Sequence, residues 1–363
     1  MKVDRFEISR YSIPLLHPLS DATHGVIRDF ALVTVLVRTR DGLEGVGYTY
    51  TVGSTGGGAI ASLIAEDLAP IVVGQDPRAV SSLSQSMWRA THYVGRGGPA
   101  SFAISAVDIA LWDIKAKAVG EPLWRLLGGH DPKVPAYASG IDLNSSIPEL
   151  EQSARIHRER GFRAIKMKVG KPRLVEDILR VEAIRELLGP DAPLMVDANM
   201  KWGVHEALRA SRALAEYDVY WLEEPIAPGD TEGYVRIQRE GPVPIAAGEN
   251  LRTVGEFEKM ISVGAVAFPE PDATNCGGVT AWTKVSNLAE ARNLPVTSHG
   301  AQDLHVSLLA AVPNPSYLEI HGFELGPYLE HSLPIAGGYA TASERPGHGI
   351  EFRWGELRPH LVE

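Results

Sequence analysis

The sequence predicts an α/β protein in which a barrel of parallel β-strands follows an N-terminal α+β module. Two observations support this prediction. From residue 134 onward, a short apolar run ending in a charged or metal-capable residue recurs, and successive run ends lie 23 to 29 residues apart. That interval accommodates one strand, one loop and one helix. Before this region, the chain carries strand patterns first and helical patterns afterwards, without the alternation of a barrel.

The N-terminal module contains about 120 residues. Its β-rich and helical patterns predict strands at 2–13, 30–38 and 45–51 and helices at 59–68, 80–90 and 101–118. We interpret the polar stretch 16–29 as a loop between the first two strands. Gly120 and Pro122 are expected to end the last helix. After Glu319 the alternation of strand and helix stops, and a loop-rich segment follows.

Composition narrows the class of protein. The chain has 363 residues, of which 44% are hydrophobic and 22% charged, as is typical of a soluble globular protein with a large core. A net charge of −10 argues against a nucleic-acid partner, which would require a basic surface. The single cysteine, Cys276, suits a reducing compartment. Because we find neither a signal-peptide pattern nor an apolar run of membrane-spanning length, we expect a cytoplasmic protein without a membrane partner.

Three carboxylates, Asp197, Glu223 and Glu249, end successive predicted strands. The C-terminal ends of barrel strands meet at one mouth, where catalysis occurs in this architecture. A set of oxygen ligands suits a hard cation such as Mg²⁺. Any one of these residues could instead cap the helix that follows, but three at near-equal spacing favour a metal site.

Two lysines, Lys166 and Lys168, end an earlier strand, and their spacing places them on the same side of it. On the inside of a barrel they would repel each other, and we expect this repulsion to lower the pKa of both and make a base. The alternative is a solvent-exposed strand face. The apolar neighbours Ile165, Met167 and Val169 argue against it, because they point the opposite way, toward packed helices.

The last strand ends supply a histidine and two more acids. His299 follows a strand one unit after Asp272, and an Asp–His pair orients the imidazole and supports its protonated form. Glu319 lies in an apolar strand. If it points inward it could be protonated and donate to an oxyanion, or it could instead pair with a nearby cation.

These residues sit in motifs that together resemble the enolase superfamily, in its mandelate racemase subgroup. The motifs are Lys166-Met167-Lys168, Val196-Asp197-Ala198-Asn199, Glu223-Glu224-Pro225, Gly248-Glu249-Asn250, Pro271-Asp272-Ala273, Ser298-His299 and Leu318-Glu319. Residues 105–129 are similar to the family's junction between cap and barrel. The resemblance extends over essentially the whole chain.

The resemblance implies a modified TIM barrel, (β/α)7β, with an N-terminal α+β capping domain. We place the cap at 1–123, the barrel at 124–326, and at 327–363 a C-terminal segment that packs back toward the cap. Oligomers are the rule in the family, so a homo-oligomer is expected.

It also implies a chemistry: removal of a proton α to a carboxylate, giving a metal-stabilised enediolate. Asp197, Glu223 and Glu249 would bind one Mg²⁺ per subunit. Lys168 and His299, the latter held by Asp272, would act on opposite faces of a small carboxylate substrate. The remaining implied roles are neutralisation of the substrate carboxylate by Lys166, hydrogen bonding to the enediolate by Glu319, and substrate contacts by Ser139 and Asn199.

The barrel residues leave two reactions open. Return of the proton on the opposite face would make a racemase or epimerase of a 2-hydroxy acid, whereas loss of a β-hydroxyl would make a dehydratase, a lyase. Segments 16–29 and 48–58 are rich in hydrogen-bonding side chains, among them His24, which we expect to bind substrate. They favour an acid-sugar dehydratase that converts an aldonate or aldarate to a 2-keto-3-deoxy acid. A non-catalytic sugar-acid binding protein would be expected to have lost a base or a metal ligand, and none is missing.

Overall fold

A computed structural model describes residues 1–362. The N-terminal part of the chain forms a three-stranded antiparallel sheet that packs against helices. The sheet has the order β1–β2–β3, with β1 at Val3–Asp21, β2 at Gly25–Thr39 and β3 at Glu44–Val52. The helices that follow are α1 (Gly57–Ser62), a π-helical turn (Leu63–Leu68), α2 (Ala69–Val72), α3 (Val80–Thr91), α4 (Pro99–Val119) and α5 (Leu123–Leu126).

The stretch 16–29, interpreted above as a loop, is instead the end of a β-hairpin. Pairing of β1 with β2 resumes at Leu19 opposite Ile27 and continues to Asp21 opposite Gly25. The prediction was wrong because strand pairing uses backbone groups and tolerates polar side chains where a hairpin extends beyond the hydrophobic core. The hairpin turn therefore carries Asp21 and His24 on an extended arm.

Helix α4 joins the cap to the rest of the molecule. It is buried along most of its length, and Gly120, at φ +73°, ends it as the sequence indicated. Strand β3 lies directly on its backbone: a Cβ at Gly45 or Gly47 would overlap the carbonyl oxygens of Ala110 and Ala106. The two glycines thus bring the cap sheet close enough to α4 for main-chain contact.

The second part is the barrel, and the expected (β/α)7β architecture with its cap is confirmed. Its parallel strands are β4 (Lys133–Ser139), β5 (Ala164–Lys168), β6 (Leu194–Asp197), β7 (Val219–Glu223), β8 (Ile245–Ala247), β9 (Phe268–Pro269) and β10 (Leu318–Ile320), which pairs with β4. Its helices are α6 (Ile147–Glu159), α7 (Leu174–Leu188), α8 (Val204–Leu214), α9 (Thr231–Glu240), α10 (Val254–Ser262), α11 (Gly278–Glu290) and α12 (Gln302–Leu309). A 3₁₀ turn, Ala215–Tyr217, follows α8.

The segment that ends at His299 closes the barrel without forming a regular strand. It contributes one bridge, Val296 to Pro315, and the Thr297 N–H donates to the Pro269 carbonyl at 3.0 Å. The prediction of a strand here was wrong because Pro269, Pro271 and Pro295 lack the N–H that a continuous ladder of strand hydrogen bonds needs. The backbone still carries His299 to the barrel mouth.

Strand register aligns the residues of the site. Lys168 pairs with Asp197, and Asp197 pairs with Glu223, so three strand ends lie at one level. Beneath them, Tyr137 and Trp221 fill the barrel interior, with ring centroids 5.6 Å apart. These two rings form an apolar floor under the charged groups.

The C-terminal segment contacts both other parts. It contains β11 (Ile335–Ala336), β12 (Tyr339–Thr341), α13 (Trp354–Leu357) and the 3₁₀ turns Gly326–Tyr328 and Arg358–His360. Strand β12 pairs with β4, and Leu361 bridges to Tyr11 of β1.

The domain limits proposed from the sequence remain a prediction. Over residues 1–362, the helices are all too short or too polar to cross a bilayer.

Candidate active site

The acidic cluster consists of Asp197, Glu223 and Glu249, which end β6 and β7 and follow β8. One carboxylate oxygen from each lies within 4.8 Å of the others, and all three side chains are buried. Buried carboxylates this close repel one another unless cations balance them. An oxygen-only donor set of this kind fits a hard divalent cation.

Both predicted lysines point into this cluster. Lys166 Nζ is 2.5 Å from Glu223 Oε1 and 2.8 Å from Glu319 Oε1, and Lys168 Nζ contacts Asp197 Oδ2. Burial acts to lower the pKa of each ammonium, but the adjacent carboxylates prevail and raise the pKa of both. The expectation of depressed lysine pKa values was therefore wrong for this structure, because each ammonium contacts a carboxylate whose charge outweighs the effect of burial.

His299 and Asp272 form a hydrogen-bonded pair, Nδ1 to Oδ2 at 3.1 Å. Tyr50 of the cap donates its hydroxyl to the same carboxylate oxygen at 2.9 Å, and Thr274 donates to the other oxygen through its N–H and its hydroxyl, both at 2.7 Å. His299 Nε2 lies 2.9 Å from Glu249 Oε2. Burial alone would lower the pKa of His299, but Glu249 and Asp272 raise it well above its usual value.

Glu319 is held between Lys166 and the Gly300 N–H, which donates to its second oxygen at 2.7 Å. Burial acts to raise the pKa of this carboxyl, yet the Lys166 ammonium lowers it well below its usual value. Of the two alternatives drawn from the sequence, the protonated donor was wrong and pairing with a cation is correct.

A cavity of about 480 Å³ lies between cap and barrel, above these groups. Lys168, Asn199, Glu249 and His299 line it from the barrel, and His24 lines it from the cap hairpin. His24 Nδ1 is 2.8 Å from Asp21 Oδ2. The Asn199 side-chain oxygen is buried without a hydrogen-bond partner in the described part of the chain, which leaves it free for a ligand.

Ser139 pairs with Lys166 at the end of β4 but does not line this cavity. It lines a neighbouring cavity of about 450 Å³, which shares Ile141 and His321 with the first. The structure thus gathers every predicted site residue except Ser139 around one cavity or the acidic cluster beneath it.

Several residues of the site were missed from the sequence. Tyr50 was included only as a member of the strand 45–51 and of the hydrogen-bonding segment 48–58, and His321, Asn275 and the buried Glu270 were not identified. Glu270 has two buried oxygens without partners among residues 1–362, and burial raises its pKa well above the usual value. Its sequence context, Pro-Glu-Pro, carries no signal beyond a strand-end acid.

The backbone next to the site is strained. Four non-glycine residues at strand ends have positive φ: Asn199 (41°), Met200 (62°), Glu224 (34°) and Ala301 (41°). Such conformations persist where the surrounding structure over-determines them, which is common at functional sites. At Glu224 the turn places the carboxylate where Asn250 Nδ2 donates to it, at 2.7 Å.

Models of two protein domains match the chain. Residues 8–128 match the mandelate racemase/muconate lactonizing enzyme N-terminal domain, and residues 149–356 match the enolase C-terminal domain-like model.

The chain is similar over nearly its whole length to known proteins. The chain is 50% identical to a 3,6-anhydro-alpha-L-galactonate cycloisomerase of Streptomyces coelicolor, over 96% of each chain. It is 36% identical to an L-talarate/galactarate dehydratase of Salmonella typhimurium, over 98% of this chain and 92% of the other. Its structure superposes on that of a racemase from Streptomyces coelicolor A3(2) with bound magnesium, with a TM-score of 0.97, 48% identity, and coverage of 99% of this chain and 100% of the other.

Proposed function

This chain belongs to the mandelate racemase/muconate lactonizing enzyme family of the enolase superfamily, and we propose that it is a Mg²⁺-dependent enzyme acting on a sugar-derived carboxylic acid. It removes the proton α to the carboxylate and then expels the oxygen on the β-carbon, giving a 2-keto-3-deoxy acid. The observation that carries this proposal is the convergence of Lys168, His299 and three buried carboxylates on one cavity between cap and barrel.

Asp197, Glu223 and Glu249 would hold the Mg²⁺, which when bound supplies positive charge that stabilises the enediolate form of the substrate carboxylate. With Asp197 balanced by the metal instead of by the Lys168 ammonium, Lys168 would be free to lose its proton and take the α-proton. Lys166 balances charge beside the acidic cluster, and its own position is set by Glu223 and Glu319.

His299 gives a proton to the departing β-oxygen. Asp272 orients its imidazole through Nδ1, and Nε2 lies on the side of Glu249, which also lines the cavity. Asn199 and His24 offer hydrogen bonds to substrate hydroxyls from the barrel and the cap.

The leaving oxygen decides the reaction class. In a 3,6-anhydro aldonate the β-oxygen belongs to a ring ether, so its departure opens the ring and the product is an isomer of the substrate. In an open-chain aldonate or aldarate the β-oxygen is a hydroxyl, which departs as water. The same base and acid serve both reactions.

We favour the anhydro acid, and hence an isomerase, since the 50% identical relative is named for that reaction. The cavity supports a ring substrate because Ile27, Val52, Phe102 and Phe323 offer apolar surface to its carbon face. The second candidate is the acid-sugar dehydratase expected from the sequence, which the 36% identical relative and the hydrogen-bonding hairpin arm support.

The experiment is a substrate panel with Mg²⁺: 3,6-anhydro-L-galactonate, galactarate, L-talarate and several aldonates, with product detected as its semicarbazone and by NMR. We expect a keto product from the anhydro acid, and Lys168→Ala as control should give none. A keto product from open-chain acids alone would make the enzyme a dehydratase. If no acid yields keto product while a 2-hydroxy acid without a β-oxygen loses optical rotation, the enzyme is a racemase and elimination is refuted.

We also propose that the enzyme is cytoplasmic and homo-oligomeric. The single cysteine, buried at Cys276, is compatible with a reducing compartment, and oligomers are the rule in the family. Light scattering coupled to gel filtration would measure the mass in solution, and a mass near the 39.3 kDa of one chain would refute the oligomer.

A further inference from the structure

His321 is a buried histidine of the active-site cavity to which the proposed reaction assigns no role. It follows β10 and lines both cavities described above. Its ring lies 5.2 Å from that of His299 and 4.7 Å from that of Phe323, measured between centroids. Phe323 in turn stacks on Phe30 at 5.1 Å, so the imidazole is fixed by aromatic packing that reaches into the cap.

The backbone selects one tautomer of this imidazole. The Phe323 N–H donates to His321 Nδ1 at 3.0 Å, so the ring proton must sit on Nε2. The same hydrogen bond, from the backbone N–H two residues later, is formed at His348, where the Ile350 N–H donates to Nδ1 at 3.0 Å. There Nε2 lies 2.7 Å from the Val46 carbonyl oxygen, to which its N–H donates.

The two histidines differ in whether the protein provides a hydrogen-bond acceptor for the Nε2–H group. At His348 it is satisfied by protein, whereas at His321 the described residues provide no acceptor for it. Burial lowers the pKa of His321 to about 3; Glu319 opposes this shift, and His299, Lys168 and Lys166 add to it. The ring is therefore neutral at ordinary pH and presents one N–H donor to the cavity. An acceptor atom of a bound ligand would pair with this donor.

We propose that the Nε2–H of His321 donates a hydrogen bond to the substrate's β-oxygen, the atom that leaves. The inference rests on the proposed elimination. His299 gives the departing β-oxygen its proton, and the adjacent ring of His321, 5.2 Å away between centroids, presents its N–H to the same cavity. A fixed donor suits a ring ether in particular, because an ether oxygen only accepts hydrogen bonds, whereas a hydroxyl both donates and accepts.

In this scheme His321 keeps its proton throughout. Lys168 takes the α-proton, the bond from the β-carbon to oxygen breaks with its electron pair going to oxygen, and His299 gives that oxygen a proton. The resulting enol becomes the ketone when the β-carbon takes a proton. The contribution of His321 is to stabilise the charge that grows on the oxygen as its bond to carbon breaks.

The test separates elimination from α-proton removal. With 3,6-anhydro-L-galactonate in D₂O, we expect His321→Leu to lower the rate of keto-acid formation by about 10- to 100-fold. Exchange of the α-proton into recovered substrate should persist and become large relative to product. His321→Gln, whose amide reaches the Nε2 position with an N–H, should recover much of the lost rate.

His348→Gln is the matched control, because it disrupts the same hydrogen-bonding device away from the cavity. It should lower the melting temperature without changing the ratio of exchange to elimination. Equal losses of exchange and elimination in His321→Leu, or no rescue by Gln, would overturn the proposal.

A second measurement does not depend on the substrate. ¹⁵N NMR of the imidazoles should find His321 neutral and protonated on Nε2 from pH 5 to 8, and titration in that range or a proton on Nδ1 would refute the inference. If the wild-type enzyme makes no keto acid from any acid of the panel, the proposed elimination fails, and the role of His321 in it is overturned whatever the tautomer. Turnover by the wild type that is unchanged in His321→Leu overturns the role of His321 alone.

Discussion

Replacement of Glu249 by Gln tests the metal site most directly. This residue supplies one of three oxygens that lie within 4.8 Å of one another, and in the absence of metal its carboxylate balances His299 at 2.9 Å. Gln keeps the shape of the side chain but removes its charge. We expect loss of turnover together with weaker binding of Mg²⁺.

Binding of Mg²⁺ should raise the melting temperature of the protein, and the loss of Glu249 should reduce this rise. Mg²⁺ at 100 times its dissociation constant should stabilise the native protein by about 2.7 kcal/mol. With an unfolding entropy of about 2.1 cal/mol/K per residue, a chain of this length gives roughly 0.8 kcal/mol/K, so the melting temperature should rise by about 3–4 °C. Loss of a direct ligand should weaken binding at least as much as loss of a partner that orients a ligand, about 10- to 100-fold. The shift in Glu249→Gln should then fall below about 2 °C at the same Mg²⁺ concentration.

The assay is calorimetry with Mg²⁺ or with excess chelator, alongside turnover measurements. Glu258→Gln is the matched control, since it makes the same chemical change at an exposed position of the adjacent helix α10. It should retain the full shift and full activity. An undiminished Mg²⁺ shift in Glu249→Gln, or full wild-type activity in excess chelator, would refute the metal assignment.

Three further predictions follow from the geometry. If Lys168 and His299 serve opposite faces of the α-carbon, each single variant should retain α-proton exchange in D₂O for one substrate configuration. The variants are Lys168→Ala and His299→Asn. Loss of exchange with every substrate in both variants would contradict this. Tyr50→Phe removes the 2.9 Å hydrogen bond to Asp272 and should lower kcat/KM about three- to tenfold, with the Asp–His pair left in place; an unchanged value would exclude a positioning role for the hydroxyl. Burial raises the pKa of Asp108 to about 7, so the native state holds this proton more tightly than the unfolded chain, and stability should fall as pH rises toward 7. Relative to wild type, Asp108→Asn should gain about 2–3 kcal/mol in the free energy of unfolding between pH 5 and pH 8, measured by denaturant titration, and a constant difference would refute the shift.

Much of the barrel could be read from the chain, because its signal is local. A strand and the polar residue that ends it are neighbours in sequence, and the regular spacing of these pairs predicts that Asp197, Glu223 and Glu249 share one mouth. The lysine pair and the Asp272–His299 pair were also identified in this way. The catalytic and metal-binding roles of these residues remain predictions.

The predictions that proved wrong share one cause, which is that they depend on contacts between segments distant in sequence. The hairpin arm was predicted to be a loop because its pairing involves backbone groups. The segment before His299 forms no regular strand because it and the strand beside it contain prolines. The pKa of Lys168 depends on Asp197 across a strand pair, and that of Glu319 on Lys166 across the barrel.

The sequence by itself determined the fold class and the family and pointed to most of the candidate side chains of the site, since these depend on residue type and on periodicity along the chain. Only the tertiary structure decided the charge state of each group and which cap residues reach the site. Tyr50 meets Asp272 across 222 residues of sequence, and the unpaired donor of His321 is evident only once the cavity around it is known. Charge and hydrogen bonding depend on distance in space, and the packing of cap on barrel sets those distances.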